Sequence, residues 1–325
     1  MKGFYLKILV LFILIGLTVM FFYRRHVTEY SKDNYLASLI DKNNLLKNTK
    51  PPRIIFVGAS NLAFGIDSKK IESETGMPVI NMGIHGNLGL AFILNNVKAN
   101  LQKGDIVVLA PEYFLGEFDY NTVNYAVHLF PESMGYVDYN LEYYRQRINY
   151  TFNELQLYRK KLTNKIFGKK LNLKELRVNA ENDMNLFDTS LYARNKFNEN
   201  GDVISHLDKE SLKEIRGRKR LDEEEYGRYV EMINEFYDYA SEIGAAVYYT
   251  FPCYPKSEID KYRKVITGYE NLLKENLKPE ILNTPDDLSY PDSLFFDTVY
   301  HLNSEGRSKR TDYTIKLLNE KVLKK

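Results

Sequence analysis

Short apolar runs that end in small residues recur along this chain and limit the folds open to it. Such a run is typical of a strand buried in a parallel sheet, followed by a tight turn into a helix. Helical patterns separate the runs, so the sequence predicts an open parallel sheet with helices on both faces. The runs are RIIFVGAS (53–60), MPVINMGIHGN (77–87), GDIVVLAPEYF (104–114), GAAVYYTFPCYP (244–255) and, as a shorter candidate, EILNTP (280–285).

The spacing of these runs predicts one large α/β domain with an insertion. The domain is expected to span residues 52–325, because Lys50–Pro52 breaks any preceding helix and begins an extended segment. More than 100 residues separate the third run from the fourth, whereas a crossover between parallel strands needs only about a dozen. Residues from about 115 to 220 are therefore predicted to form an inserted, mainly helical cap.

The N-terminus is predicted to be a transmembrane anchor. Phe4–Tyr23 is a run of twenty residues in which only Lys7 is charged, and a helix of that length spans about 30 Å, the hydrocarbon thickness of a bilayer. The residues that follow are bulky and basic, unlike the small residues of a signal-peptidase site. Residues 1–25 are thus expected to remain as an anchor, followed by a juxtamembrane linker or helix over 26–51. Basic residues flank both ends of the run, so charge alone leaves the orientation open.

Composition excludes several function classes. The net charge of +2 gives no general signature of nucleic-acid binding, and the one cysteine, Cys253, excludes an internal disulfide and a cysteine-based zinc site. No metal or other cofactor is predicted. Leu141–Arg177 is locally basic, with ten Lys or Arg against three Asp or Glu, and is rich in tyrosine. That stretch is either a solvated helix face or a surface for anionic lipid head groups or an acidic polymer.

Two separated motifs suggest a nucleophilic site. Ser60 follows the first apolar run, where a strand-to-helix turn would expose its hydroxyl. A serine needs a base near neutral pH, and His301 has a carboxylate, Asp297, four residues before it to orient the ring. Asp292 is the second choice for that carboxylate. His85, after the second run, could also line the site. The carboxyl ends of parallel strands gather at one edge, where ligands of such sheets bind.

Together, the strand ending in Ser60, the NMG after the second run, and the late Asp–His followed by LNSEGR resemble the SGNH (GDSL-type) hydrolase superfamily. The resemblance covers roughly residues 52–115 and 243–320 and leaves the cap outside. It implies an SGNH-like three-layer α/β/α fold. It also implies that Ser60 is the nucleophile, His301 the base and Asp297 its orienting acid. The backbone amides of Ser60 and Gly83 would bind the oxyanion.

The chain departs from the family pattern at two points. The third block of the family normally supplies an asparagine to the oxyanion hole, whereas this chain has APEY at 110–113. An ionised Glu112 only accepts hydrogen bonds and cannot replace that donor, so Asn61 and Asn87 are the alternative donors. The family spacing is Asp-x-x-His, whereas Asp297 and His301 have three residues between them.

The resemblance is closest to membrane-anchored or exported bacterial members linked to acylation of surface polysaccharide and cell wall. It predicts a serine esterase or O-acyltransferase acting on acyl esters, with acetyl the first expectation, of an extracytoplasmic glycan. The chain would be a single-pass protein of the bacterial cytoplasmic membrane with its catalytic domain outside. Its partners would be an acylated polymer and the membrane, and no nucleic acid. The alternative is a catalytically degenerate binding or assembly protein in the biogenesis of cell-surface polysaccharide or cell wall.

Overall fold

The computed structural model describes residues 2–113, 115, 118–137, 139–166, 191–217 and 226–324. It is an α/β protein with a five-stranded sheet in which all neighbouring strands are parallel, so the α/β class and the parallel sheet predicted from the apolar runs are confirmed. The spatial order is β2-β1-β3-β4-β6. These strands are β1 (Ile54–Gly58), β2 (Val79–Asn81), β3 (Ile106–Ala110), β4 (Ala246–Tyr249) and β6 (Glu280–Ile281).

Helices connect the strands, and a small second sheet pairs β5 (Tyr254–Pro255) with β7 (Ser289–Tyr290). Short 3₁₀ turns at Tyr35–Ala37 and Gly86–Leu88 lie near the site described below. The helices are α1 (Lys2–Ser31), α2 (Ser38–Asn48), α3 (Ser60–Ala63), α4 (Ser68–Thr75), α5 (Gly89–Lys98), α6 (Tyr120–Leu129), α7 (Leu141–Ile166), α8 (Tyr226–Ile243), α9 (Lys256–Lys261), α10 (Arg263–Asn276) and α11 (Ser304–Leu317).

Both faces of the sheet are buried, which explains why the strands read as unbroken apolar runs. Successive residues of a strand point to opposite faces. Ile55 and Val57 of β1 therefore join the larger core, with side chains of α2, α5, α6, α8 and α10. Ile54 and Phe56 join a smaller core with α4 and the turn after α11. Helices thus cover both faces of the sheet.

The strand order places a crevice between β1 and β3. The chain passes from β1 outward to β2 and then returns across β1 to β3. In doubly wound sheets, ligands bind at such a reversal, beyond the carboxyl ends of the strands. Gly58 of β1 is in register with Ala110 of β3. Ser60 and Glu112 lie two residues beyond Gly58 and Ala110, so they leave the two strands side by side at this crevice.

The predicted insertion is only partly described. Its helices are α6 and α7, while residues 167–190 and 218–225 lie outside the described residues, as does the end of the basic stretch beyond residue 166. Its last described part, 191–217, is irregular and packs on the core of the sheet. The amide of Val203 donates to the carbonyl of Ala63 (2.8 Å), and the amide of Asn81 donates to the carbonyl of Asn200 (2.8 Å). This segment therefore lies against the serine turn.

Helix α1 contains Gly3–Phe22, a stretch that is long and apolar enough to cross a membrane and that is not buried against the rest of the protein. The residues soon after α1, within the predicted linker or helix at 26–51, are part of the folded body. Tyr35 and Leu39 are fully buried. The Lys42 ammonium donates to the carbonyls of Asn81 and Gly201, each at 2.6 Å. Burial lowers the pKa of that ammonium from 10.5 to about 7. The body is thus joined to α1 by only a few residues.

Candidate active site

Ser60 opens helix α3 directly after strand β1, and its turn is fixed by the side chain of Asn61. Asn61 Nδ2 donates to the carbonyl of Ala110 (2.9 Å), and Asn61 Oδ1 accepts from the amide of Ala59 (3.2 Å). From α11, the Arg310 guanidinium donates to the Asn61 carbonyl (2.5 Å). Asn61 is completely buried. Its side-chain amide therefore holds the turn against β3.

Gly83 lies beside the same turn at very short range. A Cβ at this position would lie 2.6 Å from Leu62 Cβ and 2.7 Å from the Ala59 carbonyl oxygen, so only glycine permits the approach. The Gly83 amide donates to Asn81 Oδ1 (2.9 Å). The glycine predicted as an oxyanion donor is therefore next to Ser60, but its N–H is engaged by a side chain of its own loop.

Glu112 is the charged residue that hydrogen-bonds to the Ser60 hydroxyl. Glu112 Oε1 accepts from Ser60 Oγ (2.9 Å) and from the amide of Asn61 (3.2 Å). In α/β-hydrolases, the backbone amide of the residue after the nucleophilic serine is one of the donors that stabilise the oxyanion. On the other side, a Cβ on Gly86 would lie 2.9 Å from Glu112 Oε2, so that glycine makes room for the carboxylate. Glu112 thus occupies the space in front of Ser60.

The Glu112 carboxylate has no cationic partner within 4 Å among the described residues. Its contacts are neutral donors, the serine hydroxyl and one backbone amide. An ester carbonyl develops negative charge during attack. An ionised carboxylate at this point would repel that charge. In this structure the Glu112 side chain therefore occupies the position beside Ser60.

Asp297 and His301 form a pair within a tight loop. Asp297 Oδ1 lies 2.8 Å from His301 Nδ1, and the amide of Phe296 donates to the carbonyl of His301 (2.7 Å) to close the loop. This backbone bond lets a four-residue spacing bring the two side chains together outside a helix. Since Nδ1–H donates to the carboxylate, the neutral ring keeps its lone pair on Nε2, the atom that can take a proton.

Tyr192 and Arg216, both from the end of the insertion, complete the surroundings of Asp297. The Tyr192 hydroxyl donates to Asp297 Oδ2 and lies 3.2 Å from His301 Nδ1, while Arg216 approaches Oδ2 at 3.6 Å. Burial alone would raise the pKa of the Asp297 carboxyl. The His301 charge, the hydrogen bonds from His301 and Tyr192, and Arg216 outweigh burial and lower that pKa. Asp297 is therefore ionised at neutral pH.

Phe64 links the imidazole to the serine turn. The rings of Phe64 and His301 are stacked, with centroids 4.0 Å apart and an angle of 11° between planes. Phe64 directly follows α3, and its amide donates to the Ser60 carbonyl (3.0 Å). The His301 ring is thus in contact with the side chain of the residue that directly follows the helix begun by Ser60. The described hydrogen bonds pair Ser60 with Glu112 and His301 with Asp297, and do not join the serine to the imidazole.

The structure also gives hydrogen-bond partners for Asp292 and His85, the two other residues that the sequence placed near the site. Asp292, the second choice as orienting acid, accepts from Ser257 Oγ (2.7 Å) at the start of α9. His85 Nδ1 accepts from the amide of Asn87 (3.1 Å) in the turn after β2.

Cys253 is buried, and burial raises its thiol pKa to about 12, so it is protonated at neutral pH. Among the described residues, no group of three His, Cys, Asp or Glu side chains could hold a metal ion.

Searches against protein-family models and against curated proteins found no match to this chain.

Proposed function

We propose that this chain is a serine esterase or O-acyltransferase of the SGNH type. It would act on acyl esters, acetyl esters first, of an extracytoplasmic glycan. It would be held by α1 in the bacterial cytoplasmic membrane, with the catalytic domain outside. The observation that carries the proposal is the Asp297–His301 pair, whose imidazole stacks on Phe64, the residue that directly follows the helix begun by Ser60. The position of this turn at the β1/β3 crevice adds support.

The reaction would run in two steps. Ser60 Oγ attacks the ester carbonyl while His301 Nε2 takes the hydroxyl proton, and His301 returns that proton to the departing alcohol as the ester bond breaks. Water or a sugar hydroxyl then attacks the acyl-enzyme with the same histidine as base, which releases Ser60. Before the first step, the Ser60 hydroxyl must turn from Glu112 toward His301. The same side chains serve both acceptors, so hydrolysis and transfer remain alternatives.

The test is covalent labelling of the full-length protein in detergent with a fluorophosphonate probe. We expect the wild-type protein to be labelled and Ser60→Ala to remain unlabelled, because the probe reports an activated serine. Ser257→Ala is the matched control, since Ser257 also donates to a carboxylate, at 2.7 Å, but lies on α9. Equal labelling of wild-type and Ser60→Ala proteins, or labelling of neither, would count against the enzyme.

A second candidate function, a non-catalytic binding or assembly protein, has a specific observation in its favour. Three candidate oxyanion donors already have acceptors: the Asn61 amide bonds to Glu112, the Asn61 side chain to Ala110, and the Gly83 amide to Asn81. A lost oxyanion donor costs about 100- to 1000-fold in turnover. Absence of labelling in the test above would favour this second function.

Tyr192 is expected to act on the reaction through Asp297. Tyr192→Phe removes one donor to the carboxylate, so the pKa of Asp297 should rise and its charge should be lost at a higher pH. We expect kcat for p-nitrophenyl acetate to fall about 10-fold, the effect of losing one hydrogen bond to a charged group worth about 1.5 kcal/mol, with KM little changed. The acid limb of the kcat profile should move to higher pH.

The matched control for this substitution is Tyr239→Phe, because that hydroxyl also makes a hydrogen bond, to the Lys98 carbonyl (3.4 Å) at the end of α5. It should behave as wild type. A Tyr192→Phe enzyme with an unchanged kcat and an unmoved acid limb would show that the hydroxyl is only a packing group.

A further inference from the structure

We infer that helix α7 is a second membrane contact, whose exposed apolar stripe lies in the interface of the anionic bilayer that holds α1. The stripe consists of Leu141, Tyr144, Ile148 and Phe152, which are 88, 50, 57 and 61% exposed. Their spacing of three or four residues puts them on one helical face. Several large apolar side chains that are exposed next to one another mark an interaction surface.

The stripe is outward-facing because the opposite side of α7 is packed. Tyr143, between two members of the stripe, is completely buried. Arg147 donates to the carbonyl of Asn124 on α6 (2.8 Å). The stripe is therefore separate from the surface that fixes α7 to the body. Tyr144 stacks on the exposed ring of Tyr139, with centroids 5.7 Å apart, and all four side chains of the stripe stay exposed.

The position of α7 brings the stripe near the membrane. Helix α7 packs on α6, and α6 packs on the turn Tyr35–Ala37, which begins four residues after the end of α1 at Ser31. Packed helices are about 8–10 Å apart, so α7 lies only two such layers from the chain's exit from α1. The 26 residues of α7 would extend for about 39 Å. Because α1 holds the body at the bilayer, the contact would form within one molecule and at high effective concentration.

Charge favours an anionic lipid surface over a second copy of the chain. Arg145, Arg159 and Lys160 are exposed on α7, and Arg145 keeps 74% of its side chain exposed beside Glu142. A two-fold dimer through the stripe would bring two copies of this basic helix together, with no added acidic partner for their side chains. Acidic head groups would instead neutralise them, while tyrosine and phenylalanine favour the interfacial depth.

A tryptophan reporter can test this contact, because the natural chain contains no tryptophan. Full-length Ile148→Trp would be reconstituted in phosphatidylcholine vesicles containing phosphatidylglycerol and brominated lipid. We expect its emission to be quenched at least about twofold, because an inserted stripe lies at the depth of the upper acyl chains. The matched control is Asn153→Trp, which places the reporter on an exposed polar position of the same helix and should be quenched much less. Phe152→Asp in the Ile148→Trp protein should reduce quenching to the level of that control.

Three results would overturn the inference. Equal quenching of Ile148→Trp and Asn153→Trp, or quenching of neither, would show that the stripe does not enter the lipid. Quenching that is the same without phosphatidylglycerol would remove the role of lipid charge. A blue shift of Ile148→Trp emission that grows with protein concentration in detergent would assign the stripe to a second copy of the chain. None of these readouts depends on an esterase activity.

Discussion

Replacing His301 with alanine is expected to lower kcat for p-nitrophenyl acetate by roughly 10,000-fold or more, because single losses from an acid–base–nucleophile unit have effects of this size. His301 is 4% exposed, bonded through Nδ1 to Asp297 and stacked on Phe64. Its removal leaves a ring-shaped gap beside the serine turn. Added imidazole should therefore restore part of the lost rate, with saturation as the gap fills. The measurement is the rate of nitrophenol release by the full-length protein, with and without imidazole.

His85→Gln is the comparison for this experiment, since His85 was the other histidine that the sequence placed near the site. Its Nδ1 accepts from the Asn87 amide and stabilises the turn after β2, so we expect less than about a threefold loss. A reversed order, with His85→Gln inactive and His301→Ala active, would assign the base to His85. Thermal unfolding of both variants would separate loss of the fold from loss of the base.

The sheet could be predicted from sequence because burial on both faces leaves a strong local signal. Four apolar runs became β1 to β4, and the shorter candidate became β6. The pairing of Asp297 with His301 could also be predicted from sequence, because both residues belong to one loop. The loop geometry itself could not, since the bond between Phe296 and His301 that closes it involves only backbone atoms.

The contacts that change the chemical interpretation arise from long-range packing. The contact between Ser60 and Glu112 follows from the register of β1 on β3, in which Gly58 pairs with Ala110. Aligning the ends of the first and third apolar runs places Ser60 beside Glu112, so this contact has a signal in the sequence. Tyr192 gives no such signal, because it reaches Asp297 from 105 residues earlier through an irregular segment. Local periodicity carries no information about such a placement.

Replacing Glu112 with glutamine is expected to raise the rate of ester hydrolysis about 100-fold, the size of one oxyanion-hole donor. In the structure, the Glu112 carboxylate accepts hydrogen bonds from the Ser60 hydroxyl and the Asn61 amide, two groups that the proposed reaction would use. Two unit negative charges about 4 Å apart repel by about 1 kcal/mol in water and about 4 kcal/mol near a protein surface. Glutamine removes this repulsion, keeps the size of the side chain and adds an N–H donor. The measurement is kcat/KM for p-nitrophenyl acetate, together with the rate of fluorophosphonate labelling.

Two further variants separate the components of this effect. Glu112→Ala removes the charge without adding a donor, so it should raise the rate by less than Glu112→Gln does. Glu305→Gln makes the same chemical change at an exposed position in the first turn of α11 and should leave the rate unchanged. If Glu112→Gln were instead as slow as Ser60→Ala, the carboxylate would be an essential acceptor of the serine proton rather than an obstacle. The order of these rates therefore decides whether the site is blocked by Glu112 or depends on it.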